Sequence, residues 1–211
     1  MTAQIVDITT RQKPRPTRVN GQVPPRRQHN ADVRPREYLL PDELERLLKV
    51  AKLAGRHGHR DYTLVLLGFR HGLRVTELAS LRWDMADLKQ AVLHVTRLKN
   101  GVASNHPLRG TELRALRELQ RRYPGPYLFA TERGGPIASA TIRKIIARAG
   151  KLADIPFRVH PHMLRHSTGY YLANKGFDAR AIQSYLGHRC IEHTVRYTEL
   201  SSDRFNRFWD D

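Results

Sequence analysis

Apolar residues return every three or four positions along most of this chain, the period of helices packed by one face. Leu44, Leu47, Leu48 and Ala51 form the first such stripe. Its helix is expected to start at Pro41, because proline suits the first helical position and Asp42 and Glu43 favour the positive helix N-terminus. Gly55 closes it. A second helix is predicted from Arg60 to His71, largely buried, since Leu64, Leu66, Leu67 and Phe69 leave little polar face. Gly72 breaks it and a short helix follows from Thr76 to Arg82, so Arg74 falls at the joint between two helices. The period then becomes that of strands. Ala91 to Val95 and Val102 to Leu108 flank Lys99-Asn100-Gly101, and Asn-Gly between two such runs predicts a hairpin.

Helical spacing then resumes. Thr111 is expected to cap a helix with Leu113, Leu116, Leu119 and Tyr123 inward, stopped by Pro124-Gly125-Pro126. Tyr127-Leu128-Phe129 reads as a brief buried run and Gly134-Gly135-Pro136 as a loop. Ser139 starts a helix with Ile142, Ile145, Ile146 and Ala149 inward. Its outer face carries Arg143, Lys144, Arg148 and Lys151, which read either as a stripe along a DNA backbone or as a solvated face. A helix is predicted from Pro161 to Lys175. Another is capped by Asp178, with Ile182, Tyr185 and Leu186 inward and Gly187 supplying the left-handed turn that ends it. Ile191 to Tyr197 forms a short helix or turn, and Phe205, Phe208 and Trp209 share one face near the end. That face can pack on the chain's own core or on a neighbouring protomer. The fold class expected is α+β, mainly α, with a small antiparallel β-sheet.

Charge changes the picture. The 211 residues carry a formal net charge of +17, which asks for a polyanion: nucleic acid, an anionic membrane surface or acidic proteins. No apolar run approaches the ~20 residues that span a bilayer, and no signal peptide opens the chain, so no membrane partner is expected. A single cysteine, Cys190, rules out an internal disulfide and fits a reducing cytoplasm. Residues 1–36 are rich in Arg, Pro, Gln and Thr and poor in large apolar side chains. They read as a disordered basic arm, either solvated or laid along a DNA groove. An RNA-binding module would want a clustered aromatic platform, which is missing. His160-x-His162 is a weak metal signal with no zinc-finger spacing behind it. There is no GxxxxGK[ST] phosphate loop and no acidic cluster for paired magnesium ions.

The most informative stretch runs from Val159 to Tyr197. His162 and Arg165, three apart, share a helix face, and His188 and Tyr197 follow. Arginine forks neutralise phosphate oxygens, histidine moves a proton and tyrosine is a nucleophile, a set suited to attack on a phosphodiester. His162-Met163-Leu164-Arg165-His166, Leu186-Gly187-His188 and Tyr197 resemble the second box of the tyrosine recombinases, the phage integrase family. Gly68-Phe69-Arg70-His71-Gly72-Leu73-Arg74-Val75-Thr76-Glu77-Leu78 resembles the first. Within the family the likeness is greatest to the small fimbrial phase-variation DNA invertases, and it covers Arg36 to Asp211.

That resemblance implies an integrase-type catalytic domain over residues 37–211, behind the arm of residues 1–36. It implies a site-specific DNA recombinase in which Tyr197 cleaves one strand, leaving a 3′-phosphotyrosine and a free 5′ hydroxyl. On the family pattern His162 accepts the phenol proton, Arg74 and Arg165 bind the phosphate, His188 hydrogen-bonds it, and Lys99 protonates the leaving oxygen. Glu77, one turn from Arg74, is expected to orient it. His160 and His166 match no catalytic position and read as packing or phosphate-contacting residues. No metal, nucleotide or other cofactor is implied. The partners implied are double-stranded DNA with specific recombination sites, a homotetramer on synapsed DNA that is a monomer when free, and accessory DNA-bending proteins, in a bacterial cytoplasm at the nucleoid. Inversion is favoured over integration, excision or resolution. The rival readings are a DNA-binding regulator on the same fold, disfavoured by the complete set of six residues, and type IB topoisomerase-like relaxation.

Overall fold

The computed structural model of the chain describes residues 36–97 and 103–199. The basic arm, the hairpin tip with Lys99 and the Phe205–Trp209 face lie outside the described residues. The elements are α1 (Pro41–Leu53), α2 (Gly58–Arg70), α3 (Val75–Ser80), a 3₁₀ turn (Trp83–Met85), β1 (Ala86–Asp87), β2 (Val92–Val95) and β3 (Ser104–Pro107). They continue with α4 (Gly110–Arg122), α5 (Ser139–Leu152), α6 (Pro161–Asn174), α7 (Ala179–Leu186) and α8 (Glu192–Glu199).

Three of these helices begin with one device. A glutamate at the third helical position turns back and accepts the N–H of the residue just before the helix, half of a capping box. Glu43 takes the Leu40 N–H at 2.8 Å, Glu77 that of Arg74 at 2.9 Å and Glu112 that of Arg109 at 3.0 Å. All three are buried, and each also meets a nitrogen-bearing side chain: Arg36, Arg74 with Arg97, and His71 respectively. Thr111 therefore does not cap α4: the helix begins two residues earlier than that would require, with Arg109 before its first turn and Glu112 accepting the Arg109 N–H. Asp178 does cap α7, accepting from Arg180 and Ala181 N–H at 2.8 and 2.9 Å.

The helix α2 lies at the centre, packed against α1, α4 and α6, with Leu64, Val65 and Leu67 fully buried. It starts and ends slightly earlier than its hydrophobic run suggests. The helix α3 is shorter than expected for a clear reason. Residues 81–83 leave the helix to pair with 126–128, through Leu128 N–H to Leu81 O and Trp83 N–H to Pro126 O, both 3.0 Å. The hairpin is a three-stranded antiparallel sheet in the order β1-β2-β3. Its strands are shorter than predicted, and Ala91 sits at φ 57°, which a strand residue does not adopt. The two-residue β1 is too short to show any alternation in sequence.

One face of β2 and β3 is buried, and Leu93 pairs with His106 there, both without exposed surface. The His106 ring joins a polar chain under the sheet. Glu112 meets His71 at 2.7 Å, His71 Nδ1 lies 3.2 Å from His106 Nδ1, and His106 Nε2 is 2.8 Å from Ser104 Oγ. Burial, with the charges of His71 and Arg97 nearby, pushes the His106 pKa down to about 3. An unfolded histidine takes up a proton below about 6.5, but the folded one refuses it until about pH 3. The unfolded state therefore binds more protons across that window, and stability falls as pH drops through it, by up to about 1.4 kcal/mol per pH unit. Urea denaturation at several pH values should show this acid loss, with a shallower slope in His106→Gln. An unaltered slope in the variant would show that His106 titrates normally.

Beyond the main core, α6, α7 and α8 enclose a smaller cluster of Ala173, Ile182, Leu186 and Tyr197. Among the described residues no helix is long and apolar enough to cross a membrane, and no group of three or more His, Cys, Asp or Glu could hold a metal ion.

Candidate active site

Four separate stretches are tied together at one end of the fold by two buried arginines. Arg165, on α6, is 2% exposed. Its guanidinium donates to Gly72 O at 2.5 Å and to Leu186 O at 2.6 Å. Arg97, just after β2, donates to Glu77 at 2.9 Å, to Tyr185 O at 2.6 Å and to His71 O at 3.3 Å. Both thus fasten the turn after α2 to the end of α7. The contact leaves no room for larger residues: a Cβ on Gly72 would come within 2.4 Å of Leu186, and Gly72 is at φ +57°. Gly187, at φ +66°, adopts the left-handed turn expected of it and lies against Arg97.

Arg74 precedes α3, where rigid elements on both sides aim it. Its guanidinium bonds Glu77 Oε1 at 2.9 Å, while Arg97 holds Glu77 Oε2. Burial alone would raise the Glu77 pKa, but the Arg74 N–H, the Arg97 charge and the Arg74 side chain outweigh it and hold the carboxyl below its usual range. Arg165 is drawn down to about 9 by its own burial and by the charges of Arg74 and Arg97. It stays protonated at neutral pH. Three guanidinium groups around one bridging carboxylate leave surplus positive charge, which a bound anion such as a phosphate would relieve.

The histidines lie around this cluster. His162 is exposed at the start of α6, and its pKa is lowered by desolvation on its protein side and by Arg165 and Arg74. The His188 ring, half-buried, bonds Thr194 Oγ1 through Nδ1 at 2.9 Å. Burial, then Arg165 and Arg74, lower its pKa to about 3, so it is neutral.

Tyr197 is carried on α8 and is only 3% exposed. Its ring rests on Gly169 of α6, where a Cβ would come within 2.4 Å of the ring. Its hydroxyl lies 2.9 Å from His166 Nδ1. Burial raises the phenol to about 12, despite the opposing charge of Arg165. Tyr197 therefore holds its proton here, docked on His166.

Of the expected site residues, Arg74, His162, Arg165, His188 and Tyr197 come together, with Glu77 beside Arg74. Lys99 lies outside the described residues. Arg143, Lys144, Arg148 and Lys151 are exposed on α5. Arg148 approaches Asp61 at 3.5 Å, and among the described residues no hydrogen bond, ion pair or ring contact joins the four to the cluster. Arg97 was missed in the sequence, and His166 was read there only as a packing or phosphate-contacting residue. His166 sits four residues after His162, hence on the same helix face, and the two rings stack at 5.7 Å. Arg97 carried no signal, since a basic residue before a turn usually faces solvent.

Comparison with known proteins identifies the family. The sequence profile of the phage integrase family matches residues 37–204. The type 1 fimbriae regulatory protein FimB of Escherichia coli K12 is 42% identical over 188 residues, covering 86% of this chain and 94% of FimB. Tyrosine recombinase XerC of Bacillus licheniformis is 30% identical over 188 residues, covering 83% of this chain. The crystal structure of XerA recombinase superposes with a TM-score of 0.71 at 29% identity, over 81% of this chain. The chain covers 94% of FimB but only 61% of XerC and 63% of the XerA chain. The chain belongs to the phage integrase family and has the fold of a tyrosine recombinase catalytic domain.

Proposed function

We propose that this protein is a site-specific DNA recombinase that cuts and rejoins DNA strands through a 3′-phosphotyrosyl link to Tyr197. The observation that carries the reading is the convergence of one buried phenol with two guanidinium groups and two imidazoles from separate elements. Tyr197, Arg165 and His166 act on one another directly, and Arg74 and Arg165 both act on His162 and His188. Arg74 and Arg165 would hold the scissile phosphate, His188 would hydrogen-bond it, and Glu77 would keep Arg74 aimed. Lys99 would supply the proton to the leaving 5′ oxygen, and His162 would serve proton transfer on the nucleophile's side. Preorganised cations in such a place are worth about 3 kcal/mol or more each in the transition state. The ester stores the phosphodiester energy, so a 5′ hydroxyl from another strand reverses the step.

The finer assignments follow the same reading. Residues 37–211 would form the catalytic domain. The arm of residues 1–36 and the α5 stripe of Arg143, Lys144, Arg148 and Lys151 would grip the DNA backbone. The working form would be a homotetramer on two sites, aided by DNA-bending proteins at the bacterial nucleoid. Inversion is the favoured outcome, from the likeness to fimbrial invertases.

The test uses a suicide substrate, a duplex nicked next to the cleavage point. The wild-type protein is expected to form a covalent adduct and Tyr197→Phe none. Adduct formation by the variant would remove Tyr197 from the mechanism. On a plasmid with paired sites, recombinant products are expected; relaxation without exchange would favour the topoisomerase-like reading.

A further inference from the structure

We infer that His166, through Nδ1, is the immediate base that takes the Tyr197 proton as the phenol attacks, with His162 stacked behind it. The inference rests on the recombinase reading above and sharpens one step of it. The geometry is direct: Nδ1 stands 2.9 Å from the hydroxyl, within the reach a general base needs. His166 is fixed for this work. It is half-buried on α6, flanked by Arg165 and by Ser167, which anchors the chain by bonding Leu39 N–H at 2.8 Å. Among the described residues no hydrogen bond joins His162 to Tyr197. Its ring instead stacks on that of His166.

The ring is available as an acceptor, and a weak one in this state. Burial, then the charges of His162 and other neighbours, hold His166 down at about 4, so the ring is neutral and able to accept. That requires the tautomer with hydrogen on Nε2. A phenol near 12 does not ionise in advance beside such a ring. Proton transfer therefore belongs to the attack itself. The Tyr197 O–H bond breaks, the proton passes to His166 Nδ1 and the new oxygen–phosphorus bond forms. The bond from phosphorus to the 5′ oxygen breaks, and that oxygen is protonated by a separate acid, the role proposed for Lys99. In rejoining, the imidazolium returns its proton to the departing phenol. His162, exposed and stacked one turn away, would pass charge toward solvent.

The experiment uses the full chain and two suicide substrates, one ordinary and one with sulfur replacing the leaving 5′ oxygen. A thiolate leaves without being protonated, so sulfur cures a missing acid but not a missing base. His166→Ala is expected to slow adduct formation about 10²- to 10⁴-fold on both substrates, with DNA affinity retained. His166→Asn, whose amide can hold the phenol but cannot take its proton, is expected to stay slow and keeps the test valid if the alanine variant folds poorly. Added imidazole should restore part of the rate in His166→Gly. A near wild-type rate in His166→Ala or His166→Asn, with Tyr197→Phe inactive, would overturn the inference alone. Rescue of His166→Ala by sulfur would also overturn it, assigning the residue to the leaving group. An adduct formed by Tyr197→Phe would instead sink the recombinase reading of this site.

Discussion

Arg165→Lys is expected to lower the rate of covalent adduct formation about 10³-fold while DNA binding falls far less. The side chain is buried and already spends two donors on Gly72 O and Leu186 O. A guanidinium has five N–H donors in a fixed fork, so others remain for a phosphate held at the same place. An ammonium is a point charge that cannot bind both carbonyls and an anion in one plane. Removing it leaves the turn at Gly72 and the end of α7 less firmly joined, which displaces Arg74 and His188 together. Many other basic groups would still hold the DNA backbone, so affinity is a poor guide to this residue. Adduct kinetics and a gel-shift titration on one duplex separate the two. A loss of affinity as large as the loss of rate would show that Arg165 acts in binding alone.

The second large effect is on stability. Arg97→Ala should cost about 3–5 kcal/mol, because it strips a buried carboxylate of a charged partner. Glu77 would keep only Arg74, and the Tyr185 and His71 carbonyls would lose their donor. Adding Glu77→Gln should recover part of the loss, since the uncompensated charge is then gone. Urea denaturation of the single and double variants measures both. A loss below about 1 kcal/mol in Arg97→Ala would mean that water replaces the guanidinium easily.

The apolar stripes and breakers placed most helices correctly. Leu44, Leu47 and Ala51 line the inner face of α1, Ile142 and Ile146 that of α5, and Asp178 and Gly187 bracket α7 as their chemistry requires. The points of failure were local competitions. Thr111 lost the capping place to Arg109, whose N–H Glu112 accepts, and Arg82 left its helix to pair with Tyr127. The site was legible where side-chain chemistry and spacing coincide, as in His162, Arg165 and His188. Two histidines in one box look alike in sequence, and only the packing of α8 on α6 shows which one meets Tyr197. Arg97 was hidden for a different reason. Its burial depends on contacts with Glu77 and with Tyr185, 88 residues away, which no local pattern can register.

The central claim is that the phenol of Tyr197, and no other side chain, becomes joined to DNA. Trapping the adduct on a suicide duplex, digesting the protein and sequencing the peptide left on the 3′ phosphate tests it most directly. The account predicts that the phosphate is carried by Tyr197 in the peptide from α8. A phosphate on Tyr170 or Tyr185, or on a serine, would contradict it.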